Sequence, residues 1–172
     1  MIDIGFMFFS GSHLREINFN DSFDTSFVVS MEGMFRGSAI TELDLSCFDT
    51  SNVKIMRDMF AACPNMEYLD LSSFDTSNVT TMAGMFANLG CVDADHRVEY
   101  LNISSFDTSN VEDMDQMFSY SQVRSLDLSH FDTSKVELMS NMFRGCTAES
   151  ITGLQIPEGC DTRDMYKDTI ME

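Results

Sequence analysis

Basic residues are scarce in this 172-residue sequence, which has 10 Lys and Arg against 28 Asp and Glu. The resulting formal charge of −18 at pH 7 opposes binding to DNA, RNA or an anionic membrane, because a polyphosphate surface needs clustered cationic side chains. The same charge favours solubility and a cationic partner. We therefore expect no nucleic-acid role.

Long apolar runs are also missing. No window approaches the roughly 18–20 uninterrupted apolar residues that a membrane helix needs, so we expect no membrane insertion. The opening MIDIGFMFFSGS has no basic n-region, which makes it a poor signal peptide. Five cysteines, an odd number without CxxC spacing, exclude a complete disulfide framework and leave the redox compartment open.

Catalytic motifs are absent as well. The patterns GxSxG, Walker A and GxGxxG do not occur, and His13, His96 and His130 lie far apart in the sequence. A repetitive sequence spreads its polar residues into columns, so that no unique site converges. We predict a protein that is not an enzyme, with no catalytic residues, no metal site and no cofactor.

A repeated phrase fills the sequence instead. The tetrapeptide FDTS occurs five times, beginning at Phe23, Phe48, Phe74, Phe106 and Phe131. An MF dipeptide follows each copy at a fixed distance, from Met34-Phe35 to Met142-Phe143. Self-similarity at a period of roughly 20–29 residues is typical of a solenoid with one strand and one helical piece in each coil.

The hydrophobic period changes within one unit. Leu43 and Leu45 alternate with polar residues, which predicts a short strand with one buried face. Apolar residues in the segment 53–60 recur at i, i+3, i+6 and i+7, which predicts an amphipathic helix. Residues 1–172 are thus predicted to form one right-handed, leucine-rich-repeat-like α/β solenoid of about six coils, each with a short parallel strand and a short helix. The strands are expected near 16–20, 42–46, 68–72, 100–104, 125–129 and 153–157.

The FDTS segment lies between the predicted strand and the predicted helix. Its polar side chains can accept hydrogen bonds from the first free N–H groups of a helix, or close a turn. We interpret one set of residues as structural turn and cap residues: Asp49, Thr50, Ser51, Asp75, Thr76, Ser77, Asp107 and Asp132.

Two other regions are candidates for binding a partner. Acidic and amide side chains repeat on the exposed strand face, at the strand spacing of about 4.8 Å. An insertion at 89–97 lengthens one repeat, and insertions in solenoids form surface loops. A solvated face and a neutral insertion are the simpler alternatives. The candidate partner-binding residues are Asp44, Asp70, Asn102, Asp127, Tyr68, Tyr100, Asp93, Asp95 and His96.

Both ends of the sequence fall within coils. Met7-Phe8 aligns with Met59-Phe60, and the ending CDTRDMYKDTIME aligns with FDTSKVELMSNMF, which pairs Cys160 with Phe131. No polar cap is evident at either end, and solenoids need such caps for solubility. We therefore expect either a segment of a longer protein or apolar end surfaces that make end-to-end contacts with a partner or a neighbouring subunit.

The phrase LDLSSFDTSNVTTMAGMF, together with MFRGC and MFAAC, resembles the BspA-like leucine-rich repeats, and more narrowly the 26-residue "bacterial surface protein" repeat. The similarity spans five units, roughly residues 14–156. It implies a leucine-rich-repeat solenoid of secreted or cell-surface proteins, with roles in adhesion or protein binding and no shared catalytic motif.

The function predicted from the sequence is a non-catalytic protein-recognition or adhesion module, whose partner is a protein ligand. One alternative is a structural subunit that stacks its ends on partners in a larger assembly. Another is ice or mineral-surface binding through the threonine ladder Thr50, Thr76, Thr108 and Thr133, which needs a flat regular array.

Overall fold

The computed structural model describes residues 2–9, 15–20, 22–90 and 97–169. The strands in these ranges are two or three residues long and pair in parallel, in the orders β1–β2, β3–β4–β5 and β6–β7. Within each sheet, a strand lies beside its equivalent in the next repeat, so successive coils stack on one another. The strands are β1 (Ile2–Asp3), β2 (Val28–Ser30), β3 (Glu42–Leu43), β4 (Tyr68–Asp70), β5 (Tyr100–Asn102), β6 (Ser125–Asp127) and β7 (Ser150–Thr152).

Each central coil contributes to two parallel ladders. The first contains β3 to β7, with a bridge between Val98 and Val123 beside the break from β5 to β6. The second starts with β1 and β2 and continues as single-residue bridges from Ser30 to Ile55 and onward to Asp161. One side of each coil is therefore a short strand, and the other is held by one paired residue.

No α-helix occurs in the described residues, so the predicted α/β class with one helix in each coil is wrong. The segment after Met56 forms successive tight turns instead. The Met59 N–H donates to the Met56 C=O at 3.3 Å, and the Ala61 N–H donates to the Asp58 C=O at 3.0 Å. Asp58 and Ala62 both have a φ of +54°, a left-handed conformation that an α-helix does not contain.

Hydrogen bonds between coils explain why no helix forms here. The Asp58 N–H donates to the Ala83 C=O at 2.9 Å, and the Phe60 N–H donates to the Met85 C=O at 3.0 Å. An α-helix would direct these donors to the carbonyl four residues back in the same segment. Because the donors are used between coils, the segment turns in register with its neighbour and does not wind into a helix.

A column of nearly parallel rings runs through the core. Adjacent centroids are 5.3–6.0 Å apart, with interplanar angles of 4–16°. Fully buried methionines such as Met56, Met59, Met82 and Met85 surround the rings, and their unbranched side chains fill irregular gaps between coils. The column consists of Phe8, Phe35, Phe60, Phe86, Phe118, Phe143 and Tyr166.

Polar side chains also join the coils. The Thr76 hydroxyl donates to the Asp107 C=O at 2.9 Å and accepts from the Asp107 N–H at 2.8 Å. The Asn78 side-chain amide donates in the other direction, to the Ser51 C=O at 2.8 Å. Thr50 and Asn52 form the same bonds one coil earlier. In the three coils that contain it, the FDTSN phrase therefore links the coil to both of its neighbours.

The last coil differs from its predicted alignment. Tyr166 stacks on Phe143, and the Phe143 N–H donates to the Met165 C=O at 2.9 Å, so Met165-Tyr166 occupies the MF position. The pairing of Cys160 with Phe131 is wrong, because Asp161 bridges to Leu138 in the second ladder. Correspondingly, β7 lies at Ser150–Thr152, ahead of the predicted 153–157. Residues 15–20, where a strand was predicted at 16–20, contain no strand.

Large apolar side chains are exposed on the first coil. Ile2, Phe6, Met7 and Phe9 have exposed fractions of 46–50%. Phe8 at the same coil stacks on Phe35, as the alignment of Met7-Phe8 with the MF dipeptides predicts. The end-to-end contacts expected from the sequence stay a prediction.

We expect Thr76→Val to lower the free energy of unfolding by about 1–3 kcal/mol, because the Asp107 N–H and C=O both lose their bond to the buried Thr76 hydroxyl. Urea denaturation measures the change. Thr41→Val, at an exposed threonine, is the matched control and should change it by less than about 0.5 kcal/mol. Equal effects of the two substitutions would remove the inter-coil role of Thr76.

We expect Met56→Asp to destabilise the protein by about 4 kcal/mol or more, because it places an unpaired charge at a fully buried position. Met56→Leu keeps the volume and should cost less than about 1.5 kcal/mol. Thermal melts compare the two. An unchanged midpoint for Met56→Asp would show that Met56 is not in the core.

Candidate partner-binding surface

The exposed side of β4 and β5 carries two tyrosines in register. Tyr68 and Tyr100 are Cα partners in the parallel pair, and both alternate with leucines that face the core. Their rings stack with centroids 4.5 Å apart and planes 8° apart. They remain 46% and 40% exposed, respectively. Two large rings are thus held against each other on the surface.

Acidic and amide side chains follow these positions on the same strands. The Asp70 Oδ1 accepts a hydrogen bond from the Ser72 N–H at 3.0 Å, and the Asn102 Oδ1 accepts one from the Ser104 N–H at 3.1 Å. Asp44 makes the equivalent bond one coil earlier. Each side chain closes the turn at the end of its strand, so the column has a structural role besides its exposure.

These hydrogen bonds also set the charge of the column. The pKa of Asp44 is lowered, mainly by the hydrogen bond from the Ser46 side chain. The pKa of Asp70 is lowered, mainly by the backbone N–H of Ser72. The pKa of Tyr68 is raised, mainly by desolvation. At neutral pH the carboxylates are therefore ionised and the phenol is neutral.

A cleft of about 480 Å³ lies beside the tyrosine pair. Tyr68 lines it together with the carboxylates of Glu16, Glu42, Asp44 and Asp70. Among the described residues that line it, none is a lysine or an arginine. Glu42 is the Cα partner of Tyr68 in the preceding coil, and it occupies the position where a third tyrosine would extend the stack. The cleft thus combines one aromatic ring with concentrated negative charge.

Two arginines near this face, Arg97 and Arg124, are already paired. The Arg124 guanidinium lies 2.8 Å from the Glu99 carboxylate, and that of Arg97 lies 3.2 Å from Glu149. These partly exposed ion pairs add little stability. The positive charges of Arg97 and Arg124 lie away from the cleft, at the side of β5 farther from β3.

The candidate turn and cap residues close turns and do not cap helices. Asp75 Oδ1 accepts from the Ser77 N–H at 3.0 Å, and Asp49, Asp107 and Asp132 make the same bond to the serine two residues on. The threonines of the proposed surface ladder are buried, with exposed fractions of 1–5%, and their hydroxyls bond to the next coil. These threonines are Thr50, Thr76, Thr108 and Thr133.

The remaining candidates are distributed as follows. Asp127 lies at the end of β6, where its Oδ1 accepts from the Ser129 N–H at 3.0 Å, beyond the break between β5 and β6. Asp93, Asp95 and His96 lie outside the described residues. Glu16 and Glu42 line the cleft but were not candidates, although the repeat alignment places Glu42 in the column of Tyr68 and Tyr100.

The described residues contain no group of histidine, cysteine and carboxylate side chains that could hold a metal ion. In the same part of the chain, no helix is long and apolar enough to cross a membrane.

Parallel ladders, repeated turns and a shared ring column define the chain as a tandem-repeat protein of stacked coils. It belongs to the family DUF285, described as "Mycoplasma protein of unknown function", whose family model matches residues 3–98 and 99–170. No curated protein and no solved structure matches the chain.

The pKa of Asp127 is lowered, mainly by the hydrogen bond from the Ser129 N–H, so the stability that this bond contributes depends on pH. The stability from this bond is present above the ordinary pKa of about 4 and is lost as pH falls through the lower folded-state pKa. Asn accepts the same bond without titrating, as Asn102 does. We therefore expect the free energy of unfolding of Asp127→Asn, relative to that of the wild type, to increase as the pH is lowered from about 6 to about 2.

Urea midpoints across this pH range test the expectation. Glu137→Gln is the control, because it removes one charge at an exposed position without removing a turn bond. Its relative stability should not rise at low pH, because the side chain at this position closes no turn. Parallel pH profiles for the two variants would contradict the role given to the Ser129 hydrogen bond.

Proposed function

We propose that the protein is a non-catalytic protein-recognition module that binds a partner protein through the exposed face of β3, β4 and β5. The observation that carries the proposal is the exposed stack of Tyr68 on Tyr100. Tyrosine is enriched at protein interfaces and among the residues that dominate binding energy. A face with two ordered tyrosines beside a cleft offers the anchor that such an interface needs.

The face is also held in place before a partner binds. Three registered residue pairs join β4 to β5, and the Asp70 and Asn102 side chains close the turns that follow. Each tyrosine ring packs against the other, so little side-chain entropy remains to be lost on binding. This arrangement favours recognition by a rigid surface.

The resemblance to BspA-like repeats supports the same class of function, because it implies adhesion or protein binding. The columns of repeated residues also favour a binding role over catalysis, because they place similar side chains in line along a surface. Adhesion is the form of recognition that the resemblance suggests.

Selection of displayed random peptides on the immobilised wild-type protein tests the proposal. We expect selected peptides to lose roughly tenfold or more affinity for the Tyr68→Ser/Tyr100→Ser variant, because it removes the exposed anchor. Tyr120→Ser is the matched control, since Tyr120 is a similarly exposed tyrosine that belongs to a turn of the coil and not to a strand. Its affinities should stay within twofold of wild type, and thermal melts confirm that both variants fold.

Two results would reject the proposal. One is that no peptide binds above background. The other is that the selected peptides bind the Tyr68→Ser/Tyr100→Ser variant as well as they bind the wild type.

A further inference from the structure

Resting on the proposed recognition function, we propose that the cleft beside Tyr68 binds an arginine side chain from a basic segment of the partner protein. The guanidinium lies over one face of the Tyr68 ring and pairs with the carboxylates of the cleft. The site is defined by Tyr68, Glu16, Glu42, Asp44 and Asp70.

One face of the Tyr68 ring has no aromatic partner among the described residues, and Tyr68 lines the cleft. Tyr100, in the following coil, covers the other face at 4.5 Å with nearly parallel planes. The first face is therefore directed along the stack toward the preceding coil, where Glu42 is the register partner of Tyr68. Neighbouring strands are about 4.8 Å apart, which is close to the distance at which a planar cation stacks on an aromatic ring. A guanidinium that stacks on this face of Tyr68 thus comes within reach of the Glu42 carboxylate.

The charge of the cleft selects a cation. Four carboxylates line it without a lysine or arginine among the described lining residues. Hydrogen bonds lower the pKa values of Asp44 and Asp70, so both groups stay ionised at mildly acidic pH. An anionic segment would be repelled, and a neutral one would leave the carboxylates without a counterion. A flat guanidinium can stack on the ring and direct two parallel N–H donors at one carboxylate, whereas a lysine ammonium is a compact point charge without this planar fork.

Other positions along the same ladder lack this combination. The register positions equivalent to Tyr68 in β6 and β7 are Ser125 and Ser150, which have no ring. Near β5 the acidic Glu99 is already paired with Arg124. The cleft between β3 and β4 is therefore where a cationic side chain meets both a tyrosine ring and carboxylates that form no ion pair within the described part of the chain.

Fluorescence anisotropy with labelled nine-residue peptides tests the inference. The probes alternate glycine with arginine, lysine, glutamine or glutamate, so that length and flexibility are matched. We expect the arginine peptide to bind most tightly, the lysine peptide less tightly, and the glutamine and glutamate peptides not at all. Binding should weaken as salt rises, because exposed charges contribute to it.

Substitutions locate the binding site. Tyr68→Ser and Glu42→Gln should each weaken the arginine peptide by about 3–30-fold, whereas Tyr68→Phe keeps the ring face and should stay within about threefold of wild type. Glu137→Gln, which removes the same charge away from the cleft, should change affinity less than twofold. Thermal melts show whether each variant is folded.

The outcomes separate this inference from the proposed function. The arginine site would be overturned if Glu42→Gln and Glu137→Gln weakened the affinity for the arginine peptide equally, or if Tyr68→Ser had no effect on it. Either result would mean that the peptide binds through the overall negative charge of the protein. Selected library peptides that need the tyrosine pair but contain no arginine would overturn it too, while leaving the recognition function intact. The recognition function itself would be overturned if no selected peptide lost affinity for the Tyr68→Ser/Tyr100→Ser variant.

Discussion

Hydrogen bonds from alternate backbone N–H groups to the next coil are the constraint on which this fold depends. The donors of Asp58 and Phe60 reach the carbonyls of Ala83 and Met85, and equivalent bonds recur from coil to coil. They require both segments to turn at the same residues, so left-handed conformations repeat at equivalent positions such as Asp58 and Gln116. A buried peptide group without a partner is costly, which makes one coil's conformation depend on its neighbour's. The unit of stability is therefore a pair of coils.

The side chains follow from this backbone pairing. Registered coils bring identical residues into columns, and an apolar column packs well only if its members stack, as Phe60 does on Phe86. A polar column must instead bond to itself or to the backbone, as Thr76 bonds to Asp107. A charged column repels itself, which the strand face relieves with Asn102 between Asp70 and Asp127. The tyrosine pair and its acidic cleft are one local break in these columns, and recognition needs such a difference between coils.

The repeat period, the buried leucines of the strands and the turn at FDTS could be read from the sequence, because each depends on neighbouring residues. Whether the segment after Met56 forms a helix could not be decided from neighbouring residues. Met56, Met59, Phe60 and Cys63 have the i, i+3, i+4, i+7 spacing of a helix, yet two successive four-residue turns bury the same positions. Which of the two structures forms depends on the carbonyl groups that accept these N–H groups, and they lie about 25 residues away in the next coil. At the last coil, the likeness of CDT to FDT hid the Met165-Tyr166 pair. The cleft was missed because the position of Glu42 holds tyrosine or serine in the later coils, so no acidic column repeats there.

The sameness of the ring column has a consequence for how the chain finds its native pairing. Phe60 could stack on Phe118 almost as well as on Phe86, because the rings and their surroundings repeat. Skipping a coil doubles the length of the closed loop, yet costs only about 0.6 kcal/mol in loop-closure entropy. Slipped pairings are therefore near in free energy to the correct one early in folding. Positions at which adjacent coils carry different residues, such as Glu42 beside Tyr68, distinguish one coil from the next. The irregular positions of the proposed binding face thus also help to distinguish the native register from its slipped copies.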